Sequence, residues 1–552
     1  MLKSKKEFLY LSSIAFLLFL INYRVLNTWF IVDDTACIFC SSFDTVNLLF
    51  DKGTYLFFNQ LFFTPLLPIL FKMDLLLFKM NPLGYHLHNL LVAFLSCVVF
   101  FKIMRMYCSP FFSWLGTLFL SVSLPMSFDI GWITRKHYLW GFLFSLCALY
   151  LFKKWEDKKE HVFIALSLLA TLLAFLCKEA YAILPAAVLV ISSGSVTGRV
   201  KKTVPYIIIF IIYLIWRIYM LGSIGGYPGS TEKSISFLFW KLSTVPVDFL
   251  NNLSFPYFSL AFLLVVIFLS LSRFKMMTGV ILLIFIVSAP FVFYEHGGFI
   301  LAGKGLLFVA VISFALTYTI QLYWARKRGV ILAISAIIFI SALSGSFIRT
   351  TAGHELIMKL SSMYEKASKE ILAHRDKKIL VISEHCYYFS NLRDIYTIVL
   401  REKFPYMKAT STAQVIPFLD SHDFDMVILG KNLSLKHLDV SESSVSILKG
   451  PVAHDFFENS KKRFLQKTPL IAPEVNFIPS EDNVKIDITD TRKGTYLRCI
   501  YMDSYIGCYP IPKQYTFRLN SVKEIEKFDI IYISHTGEMS SPTIFRNSSI
   551  NR

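Results

Sequence analysis

About eleven apolar stretches fill residues 8–348 of this chain, near 8–30, 84–101, 110–127, 138–152, 162–177, 180–193, 203–222, 257–272, 278–294, 305–323 and 330–348. Backbone N–H and C=O groups in hydrocarbon find no water, so a run of this kind must satisfy them within itself, as a helix. With 55% hydrophobic and 16% aromatic residues over 552 positions, the chain is too apolar for a soluble globule. The expected fold is a polytopic α-helical membrane protein with about 11 transmembrane helices, followed by a soluble α/β domain.

A net charge of +18 would suit a nucleic-acid binder. The basic residues, however, sit in short clusters between apolar runs, which is how an orientation signal is written, and no nucleic-acid partner is expected. Lys3, Lys5 and Lys6 precede an apolar run from Phe8, and no small-x-small cleavage site follows, so the start reads as an uncleaved signal anchor. With the N-terminus in the cytoplasm, alternation puts Lys102/Arg105, Lys153/Lys154/Lys158/Lys159, Arg199/Lys201/Lys202, Arg273/Lys275 and Arg326/Lys327/Arg328 in cytoplasmic turns, obeying the positive-inside rule. Residues 55–80 are apolar but interrupted by Gln60, Pro65, Pro68, Lys72, Asp74 and Lys79. Counting them as a span would invert every later cluster, so they are expected to lie in the outer interface. Asp33/Asp34, the 128–137 turn, Lys178/Glu179, the 223–256 loop, the 295–304 turn and everything beyond 349 then share the outer face.

The composition turns to mixed charge after Ile348, which divides the chain into a membrane domain, 1–348, and an extracytoplasmic domain, 349–552. Lys378–Ser383 and Phe424–Gly430 read as buried strands, with helices expected around 361–373, 391–403 and 412–421, and a β-rich extension from about 474. Glu384-His385-Cys386 follows the first strand where a nucleotide site would have a glycine-rich loop, so an accessory or acceptor-binding role is favoured. Cys499 and Cys508 flank a short turn and suit a disulfide if that domain is extracytoplasmic. Cys37-x-x-Cys40 lacks the strand–helix context of a redox centre, and the nine cysteines form no metal framework.

The polar residues of the outer face are the candidates for chemistry. Asp33 and Asp34 are adjacent carboxylates at a membrane surface; their repulsion raises one pKa and suits a base working near neutral pH, while a solvated loop start is the plain alternative. The 128–137 turn supplies Asp129 and then Arg135 and Lys136, against which stands interfacial snorkelling of the basic pair. Lys178-Glu179 is a charge pair inside an apolar hairpin, functional or simply self-paired. His86 and Asn89, three apart, share a helix face at the start of the second span. Arg217 either meets a phosphate or snorkels, and Gly222, Gly225 and Gly226 allow a tight turn.

In order, the acid pair, Thr64-Pro65-Leu66, Tyr85-His86-Leu87-His88-Asn89, Pro125-x3-Asp129, Arg135 and Lys178-Glu179 resemble the GT-C membrane glycosyltransferases, which use polyprenyl-phosphate sugars. The likeness is greatest to the transmembrane-and-tetratricopeptide group of protein O-mannosyltransferases and its bacterial relatives; it covers roughly residues 8–230 and weakens towards 348. The resemblance implies that Asp33 or Asp34 is the catalytic base or acceptor-positioning carboxylate and that Asp129 is a second acid. It places Arg135 and Lys178-Glu179 near the donor phosphate, and gives His86 and Asn89 a supporting, largely structural part. It also implies no metal and no further cofactor, although paired carboxylates suit Mg²⁺ or Mn²⁺. The chain departs from the family at Thr64, where arginine is common, at Glu295–Phe299, which lacks an expected arginine, and in having no tetratricopeptide repeats.

The expected function is transfer of a sugar, with inversion, from a polyprenyl-phosphate-linked donor to a protein or envelope-glycan acceptor. The setting is a bacterial inner (cytoplasmic) membrane whose lipid surrounds the chain and whose periplasmic side holds the active site and the C-terminal domain. The alternatives are a lipid-linked glycan polymerase or ligase, a transporter, and a non-catalytic membrane scaffold. Charges gathered at one face argue against transport, where broken helices meet at the midplane.

Overall fold

A computed structural model describes residues 5–41, 45, 47–52, 55, 62–222, 235–255, 258–291, 305–326, 329–384, 392, 407–410, 424–431, 444–465, 472–479, 483–489, 494–502, 505–511, 514–518, 527–534 and 543–546. In chain order its helices up to residue 373 are α1 (Lys5–Asn22), α2 (Asp34–Ser41), α3 (Leu66–Phe78), α4 (Pro82–Met104), α5 (Pro110–Ser121), α6 (Leu124–Gly131), α7 (Lys136–Lys158), α8 (His161–Cys177), α9 (Leu184–Ile191), α10 (Val196–Leu221), α11 (Ile235–Leu253), α12 (Phe258–Ser288), α13 (Leu306–Ala325) and α14 (Gly329–Ala373). The chain divides into two compact units, one formed by 1–28 with 46–358 and the other by 29–45 with 359–552.

The first unit is a bundle of apolar helices, as a multi-pass membrane protein requires. Among the described residues five helices are long and apolar enough to cross a membrane, or seven if two bent pairs each count as one span. Some of the expected stretches take particular local forms. The stretch at 110–127 is two helices, α5 and α6, bent by 51°. Pro125, in the first turn of α6, has no N–H to give to the carbonyl four residues back, so the ladder of α5 cannot continue through it. The stretch at 180–193 is a 3-10 turn, Glu179–Ile183, followed by the eight-residue α9, which also opens on a proline, Pro185. The stretches expected at 257–272 and from 278 are two helices that meet within α12 at a kink, where the backbone of Arg273 is non-helical.

Where lipid is as apolar as leucine, helices associate through close packing and hydrogen bonds. Gly116 shows this: a Cβ there would lie 2.7 Å from Met104 Cε, and the bare backbone lets Ser313 of α13 donate to its carbonyl at 2.5 Å. Phe101, Phe119, Phe142, Phe175, Tyr213 and Phe308 fill the centre of the bundle. The helix α4 starts cleanly because the Asn81 side chain accepts from Leu83 N–H and Pro82 occupies the first turn.

In the second unit, strands β1 (Ile379–Glu384), β2 (Met407–Thr410), β3 (Met426–Lys431) and β4 (Ser444–Lys449) form a sheet in the order β2-β1-β3-β4. β1 is parallel to β2 and β3, while β4 is antiparallel to β3. Leu380, Ile382 and Val427 pack with Ala453 and Phe457 of α15 (Pro451–Leu465). Beyond it, β5 (Val475–Pro479), β6 (Asn483–Ile488), β7 (Gly494–Met502), β8 (Tyr505–Ile511), β9 (Gln514–Arg518), β10 (Lys527–Ser534) and β11 (Thr543–Arg546) form two antiparallel sheets, β5-β6-β9 and β11-β10-β7-β8. The register of β7 and β8 sets Cys499 directly opposite Cys508. The helices expected at 391–403 and 412–421 lie outside the described residues.

Candidate functional site

The acid pair belongs to the second unit, where it opens α2. The Asp33 carbonyl accepts the first helical bond from Cys37 N–H, and the buried Asp34 carboxylate accepts from Ile31 N–H at 2.9 Å through Oδ2. The negative side chain in the first turn also complements the helix dipole. The residue before the pair, Val32, has φ +47°. A β-branched residue in the left-handed region is strained by roughly 1–3 kcal/mol, and such strain persists where surrounding bonds over-determine it, commonly at functional sites. Those bonds are visible: Thr35 Oγ1 donates to the Val32 carbonyl at 2.8 Å, and Trp29 N–H donates to Ser361 Oγ at 2.6 Å. Asp33, half-buried, is the more accessible of the two acids.

The other candidates lie in the first unit. Asn89 Nδ2 donates to the Asp129 carbonyl at 3.2 Å. His86 has Nδ1 3.2 Å from the Ile130 carbonyl and Nε2 3.0 Å from Thr28 Oγ1. The two side chains sit on one face of α4 and hold the end of α6 by its backbone, a supporting position. Asp129 is thereby presented to Arg135, with which it forms a fully buried ion pair. Phe128 and Tyr138 each lie 4.9 Å from the Arg135 guanidinium.

Lys178 and Glu179 occupy the break between α8 and α9. Lys178 Nζ is 2.9 Å from Glu179 Oε1 and 3.9 Å from the Phe62 ring centre. Arg217 of α10 approaches the other carboxylate oxygen, Oε2, at 3.7 Å, and donates to the Tyr213 hydroxyl at 3.4 Å. Desolvation pushes the Glu179 carboxyl up, but Lys178 and Arg217 outweigh it and hold the group below the usual carboxylate range. The Glu179 side chain is 26% exposed, while its Oε2, the oxygen that faces Arg217, is buried. Tyr138 links the two groups of charges: its ring centre is 5.8 Å from Lys178 Nζ, and its carbonyl accepts from the Tyr181 hydroxyl at 2.6 Å. Close to Glu179 in sequence lies a small, mainly apolar pocket of about 10 Å³, lined by Tyr181, Ile183, Val287, Phe291, Leu307 and Phe308 among others.

A further network went unrecognised in the sequence. Asp74, taken there for an interruption in an interfacial helix, is completely buried in α3 and paired with Lys136. His88 Nδ1 lies 2.5 Å from the other Asp74 oxygen, and Trp140 Nε1 donates to His88 Nε2 at 3.3 Å. An indole only donates, so Nε2 accepts and the proton sits on Nδ1, facing the carboxylate. The available signal was a lone acid within an apolar helix. The 295–304 turn, Gly225 and Gly226 lie outside the described residues.

No protein-family model and no curated protein matches the chain. Among solved structures it is similar to ArnT from Cupriavidus metallidurans in the apo state, at 10% identity, covering 76% of this chain and 92% of that one with a TM-score of 0.45. It is likewise similar to ArnT from that organism bound to undecaprenyl phosphate, at 12% identity, the same coverage and a TM-score of 0.41.

Proposed function

We propose that the protein is an integral membrane glycosyltransferase that moves a sugar, with inversion, from a polyprenyl-phosphate-linked donor to an extracytoplasmic protein or envelope glycan. The observation that carries this reading is the Glu179 carboxylate held between two cations, Lys178 and Arg217, at a partly open break between helices. Cations arranged to hold one anion suit another, and a lipid phosphate has the charge and the oxygens to displace the carboxylate.

In the proposed reaction, the acceptor hydroxyl attacks the anomeric carbon as the bond from that carbon to the phosphate oxygen breaks. The hydroxyl proton goes to Asp34 or Asp33, and the charge of the departing phosphate is neutralised by Arg135, Lys178 or Arg217. Asp129 is the second acid, oriented by Arg135 and Asn89. The strained backbone at Val32 supports a functional role for the acid pair. Residues 1–348 form the catalytic domain in a bacterial inner membrane, and 349–552 form a periplasmic accessory domain for the acceptor.

Asp33→Asn and Asp34→Asn variants should insert normally and lose transfer, read by mass spectrometry of envelope glycans and glycoproteins against a strain lacking the gene. Full activity in the double variant would remove the base assignment. The complete burial of the Asp129–Arg135 pair favours one rival, a non-catalytic scaffold. Binding of polyprenyl phosphate that depends on Lys178 separates the two.

A further inference from the structure

At the far end of α7 from Arg135, a second polar cluster has no part in the proposed reaction. Glu156 is buried and accepts from Lys153 Nζ at 2.5 Å, Lys202 Nζ at 2.5 Å, Ser193 N–H at 3.0 Å and the Ser193 hydroxyl at 2.9 Å. This knot ties the end of α7 to the start of α10 above a core of Phe152, Val188 and Tyr206. It engages two of the seven basic residues in segments 153–161 and 193–202, where only three acids occur. Lys158, Lys159 and Lys201 are exposed beyond it, Lys158 within 3.7 Å of the equally exposed Glu160, with Lys154 and Arg199 half-buried.

Aromatic and aliphatic groups border these cations. Lys159 Nζ lies 5.4 Å from the Trp155 ring centre and Lys158 Nζ 5.4 Å from that of Phe163. On α10, Val196, Val200 and Val204 recur every fourth residue and are 78%, 45% and 43% exposed, and Ile208, Ile212 and Ile215 continue the stripe towards the other end. On α8, Val162, Leu166 and Leu169 are exposed in the same way. A basic cluster at the head of two lipid-facing aliphatic stripes matches one kind of ligand, a molecule with an anionic head and hydrocarbon tails.

We propose that this end of α7, α8 and α10 is a binding site for an anionic phospholipid, its phosphate among Lys158, Lys159 and Lys201 and its acyl chains along the Val196–Ile215 stripe. The site is independent of the glycosyl-transfer reading. A zwitterionic lipid offers the same chains without the net charge, and a free phosphate the charge without the chains.

The test uses the full chain in nanodiscs of phosphatidylcholine alone or mixed with phosphatidylglycerol. Its readouts are the melting temperature and the phosphatidylglycerol that stays bound after detergent extraction. Phosphatidylglycerol should raise the melting temperature of the wild type and co-purify with it. A K158Q/K159Q/K201Q variant, checked for unchanged topology by protease mapping, should bind it on the order of a hundredfold more weakly, and high salt should mimic that loss. Val200→Ser with Val204→Ser should weaken it with every charge in place. A control with Lys275→Gln and Arg326→Gln, in other basic turns, should bind as the wild type does. Retention unchanged in the triple variant, an equal loss in the control, or the same melting shift from soluble glycerol phosphate would each overturn the proposal.

Discussion

Two charge clusters in the membrane unit each set a carboxylate against a lysine and a second basic side chain, and they differ in closure. Around Asp74, the two carboxylate oxygens are taken by Lys136 and His88, His88 is in turn capped by Trp140, and Lys136 Nζ lies 4.4 Å from the Phe71 ring centre. Around Glu179, one oxygen has a close partner in Lys178, the other is only approached by Arg217 at 3.7 Å, and the side chain reaches solvent. A saturated network in a low dielectric fixes geometry, since any exchange of partners would leave a buried charge uncompensated. A network with a loose member can trade that member for a ligand. The first cluster therefore reads as a staple joining α3, α4 and α7, and the second as a place to hold an anion.

The largest expected effect breaks the staple. Asp74→Ala leaves Lys136 buried without its carboxylate and should destabilise the protein by about 3–5 kcal/mol, read by thermal or denaturant unfolding in detergent. Asp74→Leu with Lys136→Met should recover most of that loss, because a matched apolar pair has no charge to desolvate. A harmless Asp74→Ala would show that the two clusters do not differ in kind. Next comes Lys178→Ala, expected to lower glycosyl transfer by about 10²–10³-fold, the usual effect of removing one group that stabilises developing charge. Its melting temperature should move little, since Glu179 keeps Arg217 and solvent. A stability loss as large as that of Asp74→Ala would place Lys178 among the structural residues.

Hydropathy located the helices because burial from water is a local property of composition. It did not show the breaks within them, because Pro125, Pro185 and Arg273 act through single backbone bonds that an averaged window cannot see. Lys178-Glu179 stood out because two charges in an apolar hairpin are costly unless paired, and the pairing is local. Asp74 did not, because its partner lies 62 residues away and only packing of α3 against α7 brings them together. The strain at Val32 was equally hidden: valine is common in membrane chains, and nothing in the sequence marks a positive φ.

That strain gives a smaller effect of opposite sign. Val32→Gly removes the Cβ clash of the left-handed conformation at the expense of a more flexible unfolded chain. The net should be a gain of roughly 1 kcal/mol in stability. If the turn exists to orient Asp33 and Asp34, transfer should fall while the melting temperature rises. A rise in both would assign Val32 no role in positioning the acids.

The smallest effect asks whether Glu156, saturated like Asp74, behaves as a structural carboxylate. Desolvation alone would raise its pKa, but bonds from Lys153, Lys202 and Ser193 prevail and lower it from the usual 4.5 to about 2. A carboxyl depressed on folding adds stability above its unfolded pKa and loses it as the pH falls through the folded one. The protein should therefore lose stability progressively between pH 4.5 and about 2 through this group. Glu156→Gln should flatten that limb in a melting-temperature profile against pH while lowering the plateau near neutrality. Because Lys153 and Lys202 are themselves only partly buried, solvent screens the interaction and keeps the change below that at Asp74. A limb of unchanged slope in the Gln variant would mean that other acids set it, and that saturation by partners alone does not identify a stabilising carboxylate in this bundle.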